Sequence, residues 1–219
     1  MKGFWPLLGA SALFAVLAFA CKGDGGAKNE TPASSPALAP TPKTYSERPK
    51  VTISADKKYS AVVETTKGKF TIELRPDIAL QTVNSFIFLA REDFYNGVTF
   101  HRVMRGVPGK PDFVAQTGDP TGTGSGGPGY SLPAEFSKEP YVRGTVGMAR
   151  TSDPNSAGSQ WFVTYNDKYQ DVLNGQYTVF GKVVEGMEVV DALTPRDPEN
   201  VATPQPEGDR IISVEIKEG

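Results

Sequence analysis

The sequence has very few of the residues that most enzymes use for nucleophilic or metal chemistry. Among its 219 residues there is one histidine, His101, and one cysteine, Cys21. No disulfide can form within the chain, and no group of His and Cys has the spacing of a metal site. A Ser-His-Asp hydrolase would have to use His101, but the sequence contains no Gly-x-Ser-x-Gly elbow. We therefore predict no metal and no cofactor, and we interpret His101, which follows an aromatic residue, as structural.

An excess of charge of one sign is also missing. The chain has 23 Lys and Arg against 25 Asp and Glu, a net charge of −2, which gives no electrostatic footprint for nucleic acid. Glycine and proline, by contrast, are plentiful at 23 and 18 residues and are spread along the chain. This distribution argues against a helical bundle and favours a loop-rich β architecture.

One long hydrophobic run opens the chain. Lys2 precedes an apolar stretch from Phe4 to Ala20 whose end, Ala18-Phe19-Ala20, has the small-x-small pattern of a cleavage site. A positive charge, a short apolar run and small residues before a cleavage point are typical of an export signal. We predict a signal peptide over residues 1–20.

Cys21 follows this signal directly and resembles the lipid-modified cysteine of bacterial lipoproteins, although Ala18 stands where those proteins usually have Leu. The alternative is a free thiol, which in an oxidising compartment would be prone to cross-linking. We expect lipidation at Cys21. Because Lys22 is not the Asp that marks inner-membrane retention in some bacteria, we expect an exported lipoprotein of the periplasm or cell surface, anchored in the outer membrane.

The next part of the chain, residues 21–58, is rich in Pro, Gly, Ala and Ser and has neither helical nor strand periodicity. Such composition predicts a disordered tether. The folded domain is predicted to span residues 59–219.

Within that domain, Ser60–Thr65 and Lys69–Arg75 alternate as two strands around a turn at Lys67-Gly68. A helix is predicted to open at Pro76-Asp77 and to carry an apolar stripe made of Val83, Phe86, Ile87, Ala90 and Phe94. Further strands are predicted at Thr145–Ala149, Gln160–Tyr165, Tyr177–Val184 and Ile211–Lys217, with a helical turn at Lys168–Leu173 and a second helix at Met187–Leu193. These short strands predict a mainly β fold, a closed antiparallel barrel capped by two helices.

Two short β-runs, Phe100–Val103 and Phe113–Asp119, flank a Pro- and Gly-containing loop. Strand alternation places Arg102 on the opposite face from His101 and Val103. A guanidinium cannot lose its charge and offers a fixed fork of donors. A single such arginine is usually a surface residue whose stem covers the sheet.

Several motifs recur in one order and together change this interpretation: Phe100-His101-Arg102-Val103, Gln116-Thr117-Gly118-Asp119-Pro120, Gly144–Arg150, Gly158-Ser159-Gln160-Trp161-Phe162 and Val179–Met187. With these motifs the stretch from Tyr59 to Gly219 resembles the cyclophilin family of peptidyl-prolyl isomerases. The resemblance implies eight strands, isomerase activity on Pro-containing polypeptides and no cofactor. We expect a monomer that meets the membrane only through its lipid.

The resemblance also implies site residues, position by position. Those matched to catalysis and the groove beside it are Arg102, Phe113 and Gln116. Those matched to substrate binding are Phe162 as the floor of the proline pocket, Leu173 as its wall and Ala149 as a backbone contact. Three positions depart from the family pattern: Val114 where Met is common, Arg150 where many relatives have Asn, and Tyr177 where many have His.

Three other features have less to do with catalysis. Val172 stands where cyclosporin-sensitive relatives carry Trp, which predicts a weak response to that inhibitor. Gly122, Gly124 and Gly127 satisfy G-x-G-x-x-G, but Pro128 follows at once, so no helix can open there to bind a dinucleotide. The stretch Val107–Asp112 is an insertion relative to most cyclophilins.

Two functions fit the sequence. The first is an exported, membrane-tethered prolyl isomerase that assists folding outside the cytoplasm. The alternative is a non-catalytic module that binds Pro-containing segments, as a chaperone or adhesin. Retention of Arg102 favours the enzyme, because holding a proline ring requires the apolar pocket and not the cation.

Overall fold

The computed structural model describes residues 42–200 and 204–219. The predicted signal peptide, Cys21 and the tether up to residue 41 lie outside the described residues. Among the residues described, no helix is both long and apolar enough to cross a membrane.

In the described part of the chain, eight antiparallel strands form one sheet, flanked by three helices. The strands are β1 (Tyr59–Thr65), β2 (Gly68–Leu74), β3 (Arg102–Val103), β4 (Val114–Thr117), β5 (Thr145–Met148), β6 (Trp161–Thr164), β7 (Val179–Glu185) and β8 (Ile211–Glu218). The helices are α1 (Leu80–Arg91), α2 (Gln170–Leu173) and α3 (Met187–Asp191). The sheet order is β3-β4-β6-β5-β7-β2-β1-β8. The mainly β fold and its eight strands are confirmed.

The predicted closure of the barrel is wrong, because the two edge strands of the sheet, β3 and β8, do not pair with each other. Strand β3 is only two residues long and offers too short a ladder. The gap is spanned by the backbone that precedes β3, which bonds to the start of β8 and to the residues before it. Gly97 N–H donates to Ile211 O at 2.7 Å, and Phe100 N–H donates to Asp209 O at 2.8 Å. The sheet is therefore an open half-barrel. The predicted cap of two helices is also incomplete, since the turn at α2 is itself a short helix.

Helix α1 begins later than its sequence predicted. Asp77 is not its cap, because both carboxylate oxygens accept bonds from the Arg75 guanidinium, at 2.9 and 2.8 Å. The free amides of the first turn are instead satisfied by Glu135, which accepts from Gln81 N–H at 3.0 Å and from Thr82 N–H at 2.8 Å. A carboxylate at this end also suits the helix dipole.

The apolar stripe of α1 packs against the inner face of the sheet, as predicted. Four of the five predicted stripe residues lie on α1, and the fifth, Phe94, comes after the end of the helix. All five are at most 4% exposed and belong to one large core cluster. Phe86 packs edge-on against Trp161 of β6, with ring centroids 6.0 Å apart. Strand β6 also contributes to a second, smaller cluster through Phe162, whose neighbours Trp161 and Val163 belong to the large one. The members of the smaller cluster are Val114, Tyr141, Phe162, Leu173 and Val179.

Part of the segment predicted as tether packs onto the domain. The ring of Tyr45 lies edge-on to Phe88 of α1, centroids 5.0 Å apart, and Tyr45 N–H donates to Pro128 O at 2.8 Å. Farther along, Thr52 N–H donates to the Asn84 side chain at 2.9 Å. These contacts hold the segment to α1 and to the loop at Pro128, so packed structure begins before residue 59.

Candidate active site

The register of three neighbouring strands brings predicted site residues into one row. Arg102 on β3 is opposite Gln116 on β4, and Gln116 is opposite Phe162 on β6. Residues directly opposite on antiparallel strands have their side chains on the same face, close enough to touch. The row therefore places a cation, an amide and an aromatic ring side by side.

This row borders a cavity of about 150 Å³. The residues lining it are Arg102, Phe113, Val114, Gln116, Ala149, Arg150, Phe162, Leu173 and Tyr177. These are the nine catalytic and substrate-binding residues assigned from the family resemblance. The structure thus brings all nine together, although they come from five separate parts of the chain.

Arg102 has its guanidinium at the cavity, without a hydrogen-bond partner in the described part of the chain. Its central carbon lies 5.6 Å from the centre of the Phe113 ring. Its Nε is buried and has no hydrogen-bond partner, and Arg102 forms no ion pair with any of the described residues. An unpaired buried donor costs free energy unless a ligand satisfies it. The arrangement leaves a charged donor at a cavity that is also lined by aromatic rings.

The floor of the cavity is aromatic. Phe162, 4% exposed, stacks on Tyr141 with centroids 5.7 Å apart, and Tyr177 meets it edge-on at 5.9 Å. Burial raises the pKa of Tyr141 far above its usual value, so this ring is neutral at physiological pH. A side chain at position 147 would collide with the Tyr141 hydroxyl, which explains the glycine there. The sequence motif Gly144–Arg150 contains Gly147 but gives no sign of its contact with Tyr141, which lies outside the motif.

Gln116 is oriented by a neighbour that sequence reasoning missed. Gln116 Nε2 donates to Gln160 Oε1 at 2.9 Å. Gln160 in turn donates through Nε2 to Gly124 O and Gly126 O, both at 2.9 Å. These hydrogen bonds connect the groove to residues 121–127, which we call the glycine loop because they contain Gly122, Gly124 and Gly127. The Gly158–Phe162 motif includes Gln160, so the family resemblance offered a sequence signal for this residue.

The glycine loop folds around a carboxylate of the chain itself. Asp119, fully buried, accepts from Thr121 N–H and Thr121 Oγ1 at 2.7 Å and from Gly124 N–H at 2.6 Å. Burial alone would raise the pKa of Asp119, but these bonds outweigh it and hold that pKa below its usual value. Residues 121–131 contain no helix, so the loop lacks the geometry of a dinucleotide site.

A second, larger cavity of about 610 Å³ adjoins the first. It is lined by the glycine loop, by Gln160 and by the stretch from Ala149 to Thr151. Gln116, Ala149 and Arg150 line both cavities. The two cavities therefore meet along these three residues.

His101 lines neither cavity. It is 3% exposed, and burial lowers the pKa of its imidazole. Both ring nitrogens lack partners among the described residues.

The described residues contain no cluster of three or more His, Cys, Asp or Glu able to hold a metal ion.

The insertion forms the end of the β3–β4 hairpin and is clamped to the loop before β8. Lys110 Nζ lies 2.7 Å from Asp197 Oδ2 and 3.4 Å from Glu199 Oε2. Beside the clamp, Val103 N–H donates to Arg196 O at 2.8 Å and Arg196 N–H donates back at 3.0 Å. These bonds cover the outer edge of the short strand that carries Arg102.

The clamp predicts a pH-dependent stability. The hydrogen bond from Lys110 lowers the pKa of Asp197, whose side chain is 4% exposed. A depressed carboxyl pKa stabilises the fold above the unfolded value, about 3.9, and that contribution is lost as pH falls through the folded value. We expect Asp197→Asn to lower the melting temperature at pH 7.

The matched control is Glu199→Gln, because this carboxylate is 69% exposed and farther from Lys110; its effect should be smaller. The difference between wild type and Asp197→Asn should shrink as the pH is lowered below about 4. A difference that stays constant down to pH 2 would contradict the clamp.

A family model, similar sequences and similar structures all relate this chain to the same family of proteins. Residues 60–216 match the family model described as cyclophilin type peptidyl-prolyl cis-trans isomerase/CLD. A probable peptidyl-prolyl cis-trans isomerase of Brucella suis is 46% identical over 177 residues, covering 75% of this chain and 85% of that protein. A peptidyl-prolyl cis-trans isomerase of Synechococcus elongatus is 38% identical over 158 residues, covering 71% and 94%.

Solved structures show the same similarity. A cyclophilin type peptidyl-prolyl cis-trans isomerase of Cryptosporidium parvum superposes with a TM-score of 0.62 at 29% identity, covering 74% of this chain and 99% of the other. A second structure of that protein, in the presence of the dipeptide Ala-Pro, gives a TM-score of 0.61 at 30% identity, covering 73% and 99%.

Proposed function

The chain belongs to the family of cyclophilin-type peptidyl-prolyl cis–trans isomerases and is such an isomerase, and from this premise we propose that the cavity around Arg102 is its active site and that it acts on exported proteins. The substrates are Xaa-Pro bonds in polypeptides outside the cytoplasm. The presence of Ala-Pro with the Cryptosporidium relative supports Pro-containing substrates.

The reaction requires little besides a shaped and polarised site. Rotation about a peptide bond meets a barrier of about 18–20 kcal/mol, which arises from amide resonance. Uncatalysed prolyl isomerisation therefore takes tens of seconds or longer. In the twisted transition state the prolyl nitrogen becomes pyramidal and can accept a hydrogen bond. A site that donates this bond and holds the ring binds the transition state better than either ground state.

Arg102 is the proposed donor. The observation that carries the proposal is its guanidinium, which borders the cavity with a buried Nε that has no partner among the described residues. A charged donor held in place without a partner gives electrostatic stabilisation where new electron density develops. A module that only binds proline would not need a cation at this position.

The aromatic and aliphatic residues are proposed to hold the proline ring. Phe162 is the floor, Leu173 and Phe113 are walls, and Tyr177 closes one side by packing against Phe162. Val114 lines the same cavity. Gln116 and Ala149, at the junction of the two cavities, are proposed to bind the substrate backbone. A rate gain of about 10⁵ would require about 7 kcal/mol of preferential transition-state binding.

Titration with an Ala-Pro peptide tests this assignment of the active site. In spectra of ¹⁵N-labelled protein we expect the largest shift changes at the amides of Arg102, Gln116 and Phe162. The outer face of the sheet provides the internal control, for example Val62 and Lys217, which line a separate surface depression. Changes centred there and absent from the Arg102 row would contradict the proposed site.

Export and anchoring are proposed from the sequence alone. The apolar run before Cys21 supports a cleaved signal, and Cys21 itself supports attachment of a diacylglycerol to the new N-terminus. A lipid on this residue would hold the isomerase domain near the membrane through the intervening segment. The destination we propose is the outer membrane.

Replacing the lipid-attachment residue tests the anchor. We expect Cys21→Ser to abolish acylation and to release the protein from the membrane fraction, since Cys21 is the one thiol in the chain. Lys22→Ala, at the neighbouring position, is the control and should remain with the membranes. Mass spectrometry of native protein that shows an unmodified Cys21 would rule the anchor out.

A further inference from the structure

We propose that this isomerase prefers Xaa-Pro bonds with an acidic side chain close to the proline, and that Arg150 binds that carboxylate. The inference rests on the proposed function, since it concerns the substrates of the same site. It assigns Arg150 a role in specificity, separate from the chemistry assigned to Arg102.

The first observation is the charge of the two cavities. Among the described residues, Arg102 and Arg150 are the only charged ones that line them, and no Asp, Glu or Lys of this part of the chain lines either one. The chain as a whole is slightly acidic, with a net charge of −2. The charges that face the two cavities are therefore both positive, on a protein without a basic character. The carboxylate of Asp119 lies buried beneath the glycine loop, where Thr121 and Gly124 already satisfy it. Clefts lined by one sign of charge favour ligands of the opposite sign.

The second observation is how the guanidinium of Arg150 is held. Its Nε donates to Gln176 O at 2.8 Å and its Nη1 donates to Thr151 O at 2.7 Å. Its central carbon lies over the Tyr177 ring, 4.5 Å from the centroid, and 6.0 Å from the centroid of the Phe136 ring. These contacts fix the side chain before a ligand arrives, which reduces the entropy lost on binding.

The third observation is what these contacts leave unused. Carbonyl oxygens and an aromatic face hold the cation without neutralising it, and no carboxylate among the described residues forms an ion pair with Arg150. Its Nη2 donates no hydrogen bond within the described part of the chain. A carboxylate is the acceptor that best fits a free guanidinium edge.

The position of Arg150 determines where in the substrate the acidic side chain must lie relative to the proline. The proline ring is proposed to occupy the smaller cavity, and Arg150 lines both this cavity and the larger one beside it. A side chain from a residue adjacent in the substrate can therefore reach Arg150 while the ring stays on Phe162. Arg102 lines only the smaller cavity, where an acid bound to it would compete with the prolyl nitrogen.

Matched peptides measure the preference directly. The full-length protein is assayed on Xaa-Pro peptides that carry Glu or Gln immediately before the proline, two residues before it, or directly after it. We expect Glu to raise kcat/KM over Gln about fivefold at one or more of these positions, the effect of one half-exposed ion pair. The ratio should fall towards one in 0.5 M salt, because such pairs are screened.

Variants then assign the preference to a residue. Arg150→Gln should bring the Glu/Gln ratio to about one, whatever its rate on the Gln peptides, and Arg150→Lys should keep part of it. Lys217→Gln makes the same change in net charge outside both cavities and should leave the ratio intact. If Arg150→Gln does not fold, Arg150→Lys and the salt dependence of the wild type still decide the question.

Two results would overturn the inference. One is a wild-type ratio near one at all three positions; the other is a ratio that survives in Arg150→Gln, which would assign the effect to Arg102. Failure of the proposed function is a different result, because it would appear as no turnover of the Gln peptides by the wild-type protein.

Discussion

Replacing Arg102 by alanine is expected to lower kcat/KM for an Xaa-Pro peptide at least about a hundredfold, equivalent to about 2.7 kcal/mol of transition-state stabilisation. The physical reason is the loss of the donor to the prolyl nitrogen, a bond made only in the twisted state. Because the guanidinium makes no hydrogen bond or ion pair with the described residues, its removal breaks no contact of this kind in the fold. The measurement is a peptide isomerisation assay on variants with matched circular dichroism spectra.

Arg102→Lys separates charge from geometry. Lysine keeps the positive charge but not the rigid fork of donors, so we expect an activity between those of the wild type and the alanine variant. Near-native turnover by Arg102→Ala would refute the assignment of Arg102 as the catalytic donor.

The second large effect concerns an inhibitor. Val172 lies on α2 and is 59% exposed, next to Leu173, which is buried against the cavity. In the cyclosporin-sensitive cyclophilins that this chain resembles, a Trp at the corresponding position packs on the drug and donates a hydrogen bond to it. Valine has neither the ring nor the donor, so we expect binding weaker by about 2–4 kcal/mol, thirtyfold or more.

Two variants test this explanation. Val172→Trp should partly restore inhibition, because it supplies both contacts on an already exposed position. Asp171→Trp adds the same ring one residue earlier, also at an exposed position, and should not restore it. Potency in the wild-type protein equal to that of Trp-bearing cyclophilins would show that Val172 does not determine the response.

The features that could be predicted from sequence are those encoded locally or by whole motifs. The stripe of α1 follows from its period, and the β1–β2 hairpin follows from Lys67-Gly68 between two alternating runs. The grouping of Arg102, Gln116 and Phe162 came from family motifs and not from periodicity. Strand register then explains it, since these residues are directly opposite one another.

The features that were missed depend on partners distant in sequence. Helix α1 starts at Leu80 because Glu135, more than fifty residues later, satisfies its first amides. The sheet stays open because β3 is short and its outer edge is covered by Arg196. The packing of Tyr45 on Phe88 likewise joins two segments whose local patterns give no sign of it.

The most direct test of the central claim, catalysis by the Arg102 cavity, is exchange spectroscopy on an Ala-Pro peptide mixed with the wild-type protein. This measurement distinguishes catalysis from binding, because a module that only binds proline would shift the peptide resonances without speeding their interconversion. We predict cis–trans exchange in the presence of protein that is faster than the uncatalysed process, which takes tens of seconds, and that is lost in Arg102→Ala. Peptide binding at the cavity with exchange no faster than in free peptide would contradict the account.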